Sequence, residues 1–440
     1  MTYTEFLDTK QKRWKGTGIG VSDIETPSEL YPWQDAITRW ALRKERACIF
    51  ADCGLGKTFM QLAWAQAIPG RVLVLAPLCV AEQTVAEGHK IGVPVRYAAT
   101  ASDDDGLSQI VITNYERLHK FDVSAFAGVV LDESSILKSF DGKTRTALIA
   151  TFKDTPYRLC CTATPSPNDI AELANHAEFL GLMTRPEFLA TWFVHDDTGW
   201  RMKRHAVGGF YRWMASWAVA LRTPSDLGYA DDGFVLPKLR IIDHIVPLDA
   251  PIPGVMFPEL AAKGIGGRLA VRRGSVSSRV DALVQCVHDT DQERVTNGCQ
   301  WLIWCGLNTE ADAAVTALSG AEQVAGKDTP AAKSDAIRRF VSGDIQTLIT
   351  KPKILGFGMN FQQCHHMAFL GLSDSYESYY QCIRRCWRFG QRSPVDVHVV
   401  VSEAEQAVVR NVRRKEGDAA QMAADLVGNM APAEREELGA

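Results

Sequence analysis

The chain has 440 residues, of which 46% are hydrophobic and 23% charged, a composition that supports two or three packed domains and excludes a largely disordered chain. A formal charge of -4 argues against a uniformly basic nucleic-acid coat, while leaving room for a local basic groove. No run of about 18 apolar residues occurs, so no membrane-spanning helix is expected.

At the amino terminus, MTYTEFLDTKQKRW has no apolar core of the kind a secretion signal needs, and the cysteines lack a repeated CxxC spacing. A reducing cytoplasm is the expected compartment. YPWQDAITRWAL follows, with Trp33, Ile37, Trp40 and Ala41 at helical spacing and Gln34 at the start of the helix. A side-chain amide both donates and accepts, so Gln34 can pair with an adenine edge; taken alone, a surface glutamine is the simpler reading.

FADCGLGKTFM comes next, and in it Cys53, Gly54, Leu55 and Gly56 lead into Lys57, Thr58 and Phe59. Glycines let backbone N–H groups approach phosphate oxygens, Lys57 can neutralise the β and γ charges, and the Thr58 hydroxyl can hold Mg2+. Ala51 stands where the common GxxxxGK pattern begins with glycine, so a coincidental glycine-rich turn remains the alternative.

RVLVLAP, QIVITNY, GVVLDE and YRLCCTAT are continuously apolar and end in polar residues, as expected of buried parallel strands. A doubly wound sheet is the predicted architecture, with ligands gathered at the carboxyl ends of its strands. Asp132 and Glu133 directly follow one such run, where Asp132 can hold Mg2+ and Glu133 can orient or deprotonate an attacking water. Thr162 and Thr164, ending another, can hydrogen-bond that acidic loop.

From Asn168 to Ser275 the alternation stops, and Trp192, Trp200, Trp213 and Trp217 accompany basic residues and Gly/Pro breaks; this reads as a mainly helical insertion or bridge. WLIWCG, IQTLIT, MAFLGL and VDVHVVV then mark a second α/β lobe. The expected division is 1–167, 168–275, 276–402 and a helical tail over 403–440. Cys364, His365, His366, Cys382 and Cys386 can be grouped as a zinc set, but buried core thiols are the simpler reading and no zinc is expected.

YYQCIRRCWRFGQ places Gln381, Arg385 and Arg388 at i, i+4 and i+7, which a helix presents on one face. A guanidinium can stabilise the charge on a transferred γ-phosphoryl group, and supplying it from a second lobe makes hydrolysis at the lobe interface depend on closure.

In this order the stretches resemble the motifs of a superfamily 2 helicase motor, and more closely those of an Snf2-type DNA translocase. Gln34 matches the adenine-reading glutamine; DCGLGKT is similar to motif I, LDESS to motif II and TATP to motif III. GFGMNFQ, with Gly358 and Asn360, is similar to motif V, and QCIRRCWRFGQ to motif VI. ALRTPSDLGYADDGFVLPKLRIIDHIV resembles the linker that distinguishes Snf2 motors from other helicases. The resemblance runs from about Tyr31 to Val401, and the compact form resembles helicase-like proteins of phages and prophages.

What the resemblance implies is an α/β fold of two RecA-like lobes, each a doubly wound parallel sheet, using ATP and Mg2+. It implies catalytic roles for Lys57, Asp132, Glu133, Gln381, Arg385 and Arg388. Nucleotide contacts fall to Gln34, Cys53, Gly54, Leu55, Gly56, Lys57, Thr58, Phe59, Gly358 and Asn360, and Mg2+ to Thr58 and Asp132. Ser134, Ser135, Leu355 and Arg384 depart from the pattern, at positions that bear on coupling rather than on the metal, the water or the finger.

The partner the resemblance implies is DNA, double-stranded and bound without sequence specificity. Candidate contacts are Thr113, Asn114, Tyr115 and Arg117, the GFGMN loop, and Arg201, Lys203, Arg204 and Arg212, for which a solvated helix face over a core is the simpler reading. A strand-separating DNA or RNA helicase and a slow ATP-gated scaffold remain as alternatives. No nuclease constellation is recognisable, so any cleavage would need a separate nuclease or replication partner; a monomer is expected.

Overall fold

The structure is a computed structural model that describes residues 14–16, 18–21, 24–77, 80–138, 142–166, 169–196, 199–248, 265–293, 299–356 and 359–439. It divides into two compact units, one of residues 1–234 with 419–440 and one of residues 235–418.

The strands of the first unit are β1 (Arg46–Ala51), β2 (Val72–Ala76), β3 (Arg96–Tyr97), β4 (Ile110–Asn114), β5 (Gly128–Asp132), β6 (Tyr157–Cys161), β7 (Phe193–Asp196), β8 (Gly199–Met202) and β9 (Ala218–Leu221). Seven of them form a parallel sheet in the order β3-β4-β2-β5-β6-β1-β9, while β7 and β8 pair as a separate antiparallel hairpin. β2, β4 and β5 are buried from end to end, which is why their letters are apolar without alternation. The helix Lys57–Ala67 leaves the carboxyl end of β1 and buries Met60, Leu62, Ala63 and Trp64. Before β1, the helix Pro32–Lys44 opens on proline, tolerated there because the first N–H of a helix has no partner within it.

The tryptophan-rich stretch is partly helical, with helices Leu173–Leu180, Arg185–Trp192 and Val207–Ala215. Its aromatic side chains pack on one another: Phe188 with Phe210 at 5.8 Å, Trp192 with Trp213 at 5.8 Å and Trp213 with Trp217 at 5.2 Å between ring centres. The structure differs here from the expected insertion over 168–275. β9 extends the first sheet alongside β1, and the strand Leu239–Val246 belongs to the second sheet. Each of these strands pairs with a segment more than 150 residues away in sequence, so local pattern carried no sign of either pairing.

In the second unit β10 (Leu239–Val246), β11 (Trp301–Cys305), β12 (Glu322–Gln323), β13 (Thr347–Thr350), β14 (His366–Leu370) and β15 (Val395–Ser402) form a parallel sheet in the order β10-β15-β14-β11-β13-β12. The helix Val276–Glu293 packs on β10, β14 and β15. Glu310, fully buried, binds Arg272 at 2.8 Å and Arg279 at 2.9 Å and accepts from the backbone of Gly306 and Leu307. Removing one partner of such a set strands a buried charge, which costs about 3–5 kcal/mol. Cys364, Cys382 and Cys386 lie in the interior, with the Cys364 thiol directed at the carbonyls of Gln300 and His366.

The tail expected over 403–440 is a helix, Gln406–Leu438, that contains Pro432. It is not a separate piece: its last part belongs to the first unit, where Leu426, Val427 and Met430 enter the core. Both regions are parallel-sheet α/β structures of the RecA-like kind.

Candidate nucleotide site and arginine motif

β1, β5 and β6 end on the same edge of the first sheet, and the loop after β1 is shaped by two glycines. Gly54 has φ +90° and Gly56 φ +70°, conformations that a side chain strains. A Cβ on Gly56 would also lie 2.4 Å from Gln34 Nε2. Gly56 caps the helix that begins at Lys57, so the loop delivers the unpaired N–H groups of a helix start, the positive end of its dipole, to one place. Lys57 Nζ donates to the carbonyls of Ala51 at 2.8 Å and Asp52 at 3.3 Å, bridging the beginning of the loop to its end. Ala51, which stands at the glycine position of the common pattern, is the last residue of β1 and takes part through its carbonyl.

Thr58, Cys53 and Phe59 are partly exposed, while Leu55 is buried. Gln34 is buried too, and both ends of its amide are engaged: Nε2 donates to Leu55 O at 3.0 Å and Oε1 accepts from Tyr31 N at 3.0 Å. The glutamine therefore braces the loop against the start of its own helix.

Asp132 closes β5 and is buried; Gln61 Nε2, one turn into the helix after the loop, donates to its Oδ1 at 2.7 Å. Burial, and secondarily the charge of Glu133, raise the Asp132 carboxyl from 3.8 to about 6, opposed by the Gln61 hydrogen bond and by Lys57. Glu133 follows with φ +54°, a left-handed conformation that is strained for a residue with a side chain. Thr162 Oγ1 reaches Glu133 Oε2 at 3.5 Å, as expected of it, whereas the buried Thr164 hydroxyl has no partner and makes no bond to the acidic loop.

Sequence reasoning missed the residues that hold the acidic loop. Ser134 Oγ meets His176 Nε2 at 3.1 Å; burial pushes this imidazole down to about 3, so it is neutral. Asn175 Nδ2 donates to Leu137 O at 2.7 Å, and the Tyr115 hydroxyl to Asp132 O at 2.7 Å. The available sign was two adjacent polar residues inside the apolar helical run LANHAEFL. Gln61 had a similar sign, a polar side chain in KTFMQLAWAQA on the face of Lys57.

Of the residues expected to contact DNA, Thr113 and Asn114 are fully buried, Tyr115 is partly exposed with its hydroxyl held by Asp132 O, and Arg117, also partly exposed, donates to Tyr97. In the aromatic segment Arg204 and Arg212 are exposed over the buried Phe210 and Trp213; Arg201 pairs with Asp196 and Lys203 donates to the carbonyls of Ala190 and Thr191.

In the second unit the helix Tyr376–Cys386 carries Gln381 and Arg385, both buried and joined to each other at 2.8 Å. Arg388 lies beyond the end of this helix, so the three residues do not share one helical face. A different device brings the arginines together: Arg385 donates to Met359 O at 3.3 Å and Arg388 to the side-chain carbonyl of Asn360. Gly358 lies outside the described residues. Arg384 is buried against the rings of Trp387, at 4.9 Å, and Tyr380, at 5.7 Å, and Leu355 is a core residue.

An oxygen-rich donor set of a carboxylate and a hydroxyl, beside a helix start and a lysine, suits Mg2+ and a phosphate chain. No curated protein matches the chain. Residues 278–390, a stretch that holds Asn360, Gln381, Arg385 and Arg388, match the family model of the helicase conserved C-terminal domain, so the second unit carries a helicase-type C-terminal domain.

Proposed function

We propose that the protein is an ATP-driven motor of the Snf2 type that couples hydrolysis to movement along double-stranded DNA. The observation that carries the reading is the occurrence, in one chain, of a matched helicase C-terminal domain and a first unit whose glycine loop and Asp-Glu pair converge at the strand ends. The linker resemblance, from Leu221 through Pro237 and Lys238, supports Snf2 over other superfamily 2 motors. In the structure this segment is anchored by Trp387 Nε1, which donates to Pro237 O at 2.7 Å.

ATP, bound with Mg2+, supplies a phosphoryl group whose transfer to water releases the free energy that drives the motor. The residues divide the work. Backbone N–H groups from Gly54 to Thr58, with the Lys57 ammonium, bind the phosphates, and Thr58 and Asp132 hold the cation. Gln61 and Tyr115 orient Asp132 and its strand end. Glu133 accepts the proton of the attacking water, with Thr162 positioning its carboxylate. Arg385 and Arg388 neutralise the charge that builds on the phosphoryl oxygens.

The test is ATPase stimulation by duplex DNA, single-stranded DNA and RNA, with displacement of a third strand from a triplex as the readout of movement. Duplex stimulation with displacement is the expected result. Strong stimulation by RNA with none by duplex would sink the reading in favour of an unwinding helicase, and ATP binding without turnover would favour a gated scaffold.

A further inference from the structure

A second cluster of chemically active side chains lies within the second unit, apart from the arginine motif. His244 on β10 and His398 on β15 project from the same face of the sheet: Ile242 is the register partner of His398, so His244 sits one diagonal step along. Cys286, on the helix that covers this face, completes a triangle. His244 Nε2 and His398 Nδ1 are 2.9 Å apart, the Cys286 sulfur lies 3.5 Å from His244 Nε2, and one ligand atom from each of the three falls within 4.8 Å of the others.

We propose that His244, Cys286 and His398 form a zinc-binding site that clasps the edge strand β10 to β15 and to the helix Val276–Glu293. Tetrahedral zinc, with Zn–N near 2.0–2.1 Å and Zn–S near 2.3 Å, sets neighbouring ligand atoms about 3.3 Å apart for two nitrogens and about 3.6 Å for nitrogen and sulfur. The His244–His398 and Cys286–His244 edges are near those lengths and the third edge is no longer than 4.8 Å, so side-chain rotations bring the three atoms onto one cation. Two imidazoles and one thiol are a borderline-soft donor set of the kind zinc takes. Cys286 and His398 are buried while His244 is partly exposed, which gives the cation an entry path and leaves the fourth position to a solvent molecule.

Local electrostatics agree with this role. Burial, and then the neighbouring His244, hold the His398 imidazole down to about 4, and burial lowers His244 as well; both rings are thus neutral, the form that binds metal. Burial raises the Cys286 thiol to about 11, so it carries its proton until a metal displaces it. Binding therefore releases one proton from sulfur to solvent. It also breaks the bond between the rings, so the ring that donated it shifts its proton to the nitrogen that faces away from the metal, while the accepting ring already carries its proton there. Trp301, whose ring centre lies 5.2 Å from that of His398, limits how far this ring can swing. The residues are separated by 42 and 112 positions in sequence, which is why no spacing motif announced them.

β10 is an edge strand, paired on one side, and it opens the second unit. A metal clasp holds it where backbone pairing is halved. The inference stands apart from the motor reading, since neither the nucleotide residues nor the arginines take part.

The test uses the full chain, produced without a polyhistidine tag, stripped with a chelator and then given Zn2+ alone. After gel filtration the wild type is expected to retain about one equivalent of zinc. Cys286→Ala and His398→Gln should retain close to none, and the control His288→Ala should match the wild type. Co2+ in place of Zn2+ should give a sulfur-to-cobalt charge-transfer band and the intense visible bands of four-coordinate cobalt in the wild type and not in Cys286→Ala. Zinc should raise the melting temperature of the wild type and leave that of His398→Gln unchanged. Equal zinc retention by wild type and Cys286→Ala would overturn the proposal. So would a wild-type cobalt spectrum without the sulfur band, a result that does not depend on any variant folding.

Discussion

Glu434 offers a quantitative handle on how the carboxyl-terminal helix is attached to the first unit. Its side chain is fully buried; Oε1 accepts from the backbone N–H of Ala220 at 2.7 Å, and Oε2 has no partner. Ala220 lies on β9, the edge strand, and its N–H faces away from β1, so Glu434 satisfies a donor that an open edge would leave unpaired. Burial raises this carboxyl from 4.5 to about 8, against the opposing Ala220 hydrogen bond and with a small contribution from Asp226. The sign follows from linkage. Below about pH 4.5 the group is protonated in both folded and unfolded chains and costs nothing. Between 4.5 and about 8 the unfolded chain ionises while the folded chain keeps its proton, so stability falls as pH rises; above about 8 the loss is complete. At about 1.4 kcal/mol per pH unit the full loss is on the order of 4–5 kcal/mol. Glu434→Gln keeps the acceptor for Ala220 and places an unpaired N–H where an unpaired hydroxyl stood, but it cannot ionise. Urea unfolding of both proteins should give similar stabilities near pH 5, and near pH 8.5 the variant should be more stable by several kcal/mol. Stability curves that run parallel across this range would refute the argument, because they would mean that the buried carboxyl does not hold its proton.

Lys57→Ala removes the side-chain cation of the glycine loop and should abolish ATP binding and turnover; near-normal turnover would take the loop out of the mechanism. Glu133→Gln should bind ATP with Mg2+ as the wild type does and hydrolyse it very slowly, and loss of binding in a direct titration would contradict the division of roles between Asp132 and Glu133. In the wild type, with a non-hydrolysable ATP analogue, Mg2+-dependent affinity should weaken as pH falls through about 6, where Asp132 gains its proton, and a flat profile from about pH 5 to 8 would argue against Asp132 as the metal ligand. Arg388→Ala should lower DNA-stimulated turnover by on the order of 10^3 with nucleotide and DNA binding largely kept. Unchanged stimulation together with a lowered melting temperature would reduce Arg388 to a support for Asn360.

Read from sequence alone, this chain already declares its α/β character, because strands buried on both faces must be apolar throughout, as in Val72–Ala76 and Gly128–Asp132. The loop from Gly54 to Thr58 and the acid pair after β5 were legible for a related reason: their chemistry is carried by neighbours in sequence, at the end of a recognisable strand. What tertiary structure alone decided are matters of long-range pairing and side-chain commitment. The bracing contacts of Gln34 and Tyr115 were not legible because their partners, Leu55 and Asp132, come from other elements. Thr113 and Asn114 are buried because their strand lies inside the sheet. Arg388 left the helical face because the helix stops at Cys386, and it met Asn360 through the turn that follows. β9, β10, the carboxyl-terminal helix and the His244, Cys286 and His398 triangle all depend on contacts across more than 40 residues of chain. Periodicity and spacing describe what a segment does with its nearest neighbours; which distant segment it meets is set by the joint burial of the whole sheet, and no local window contains that information.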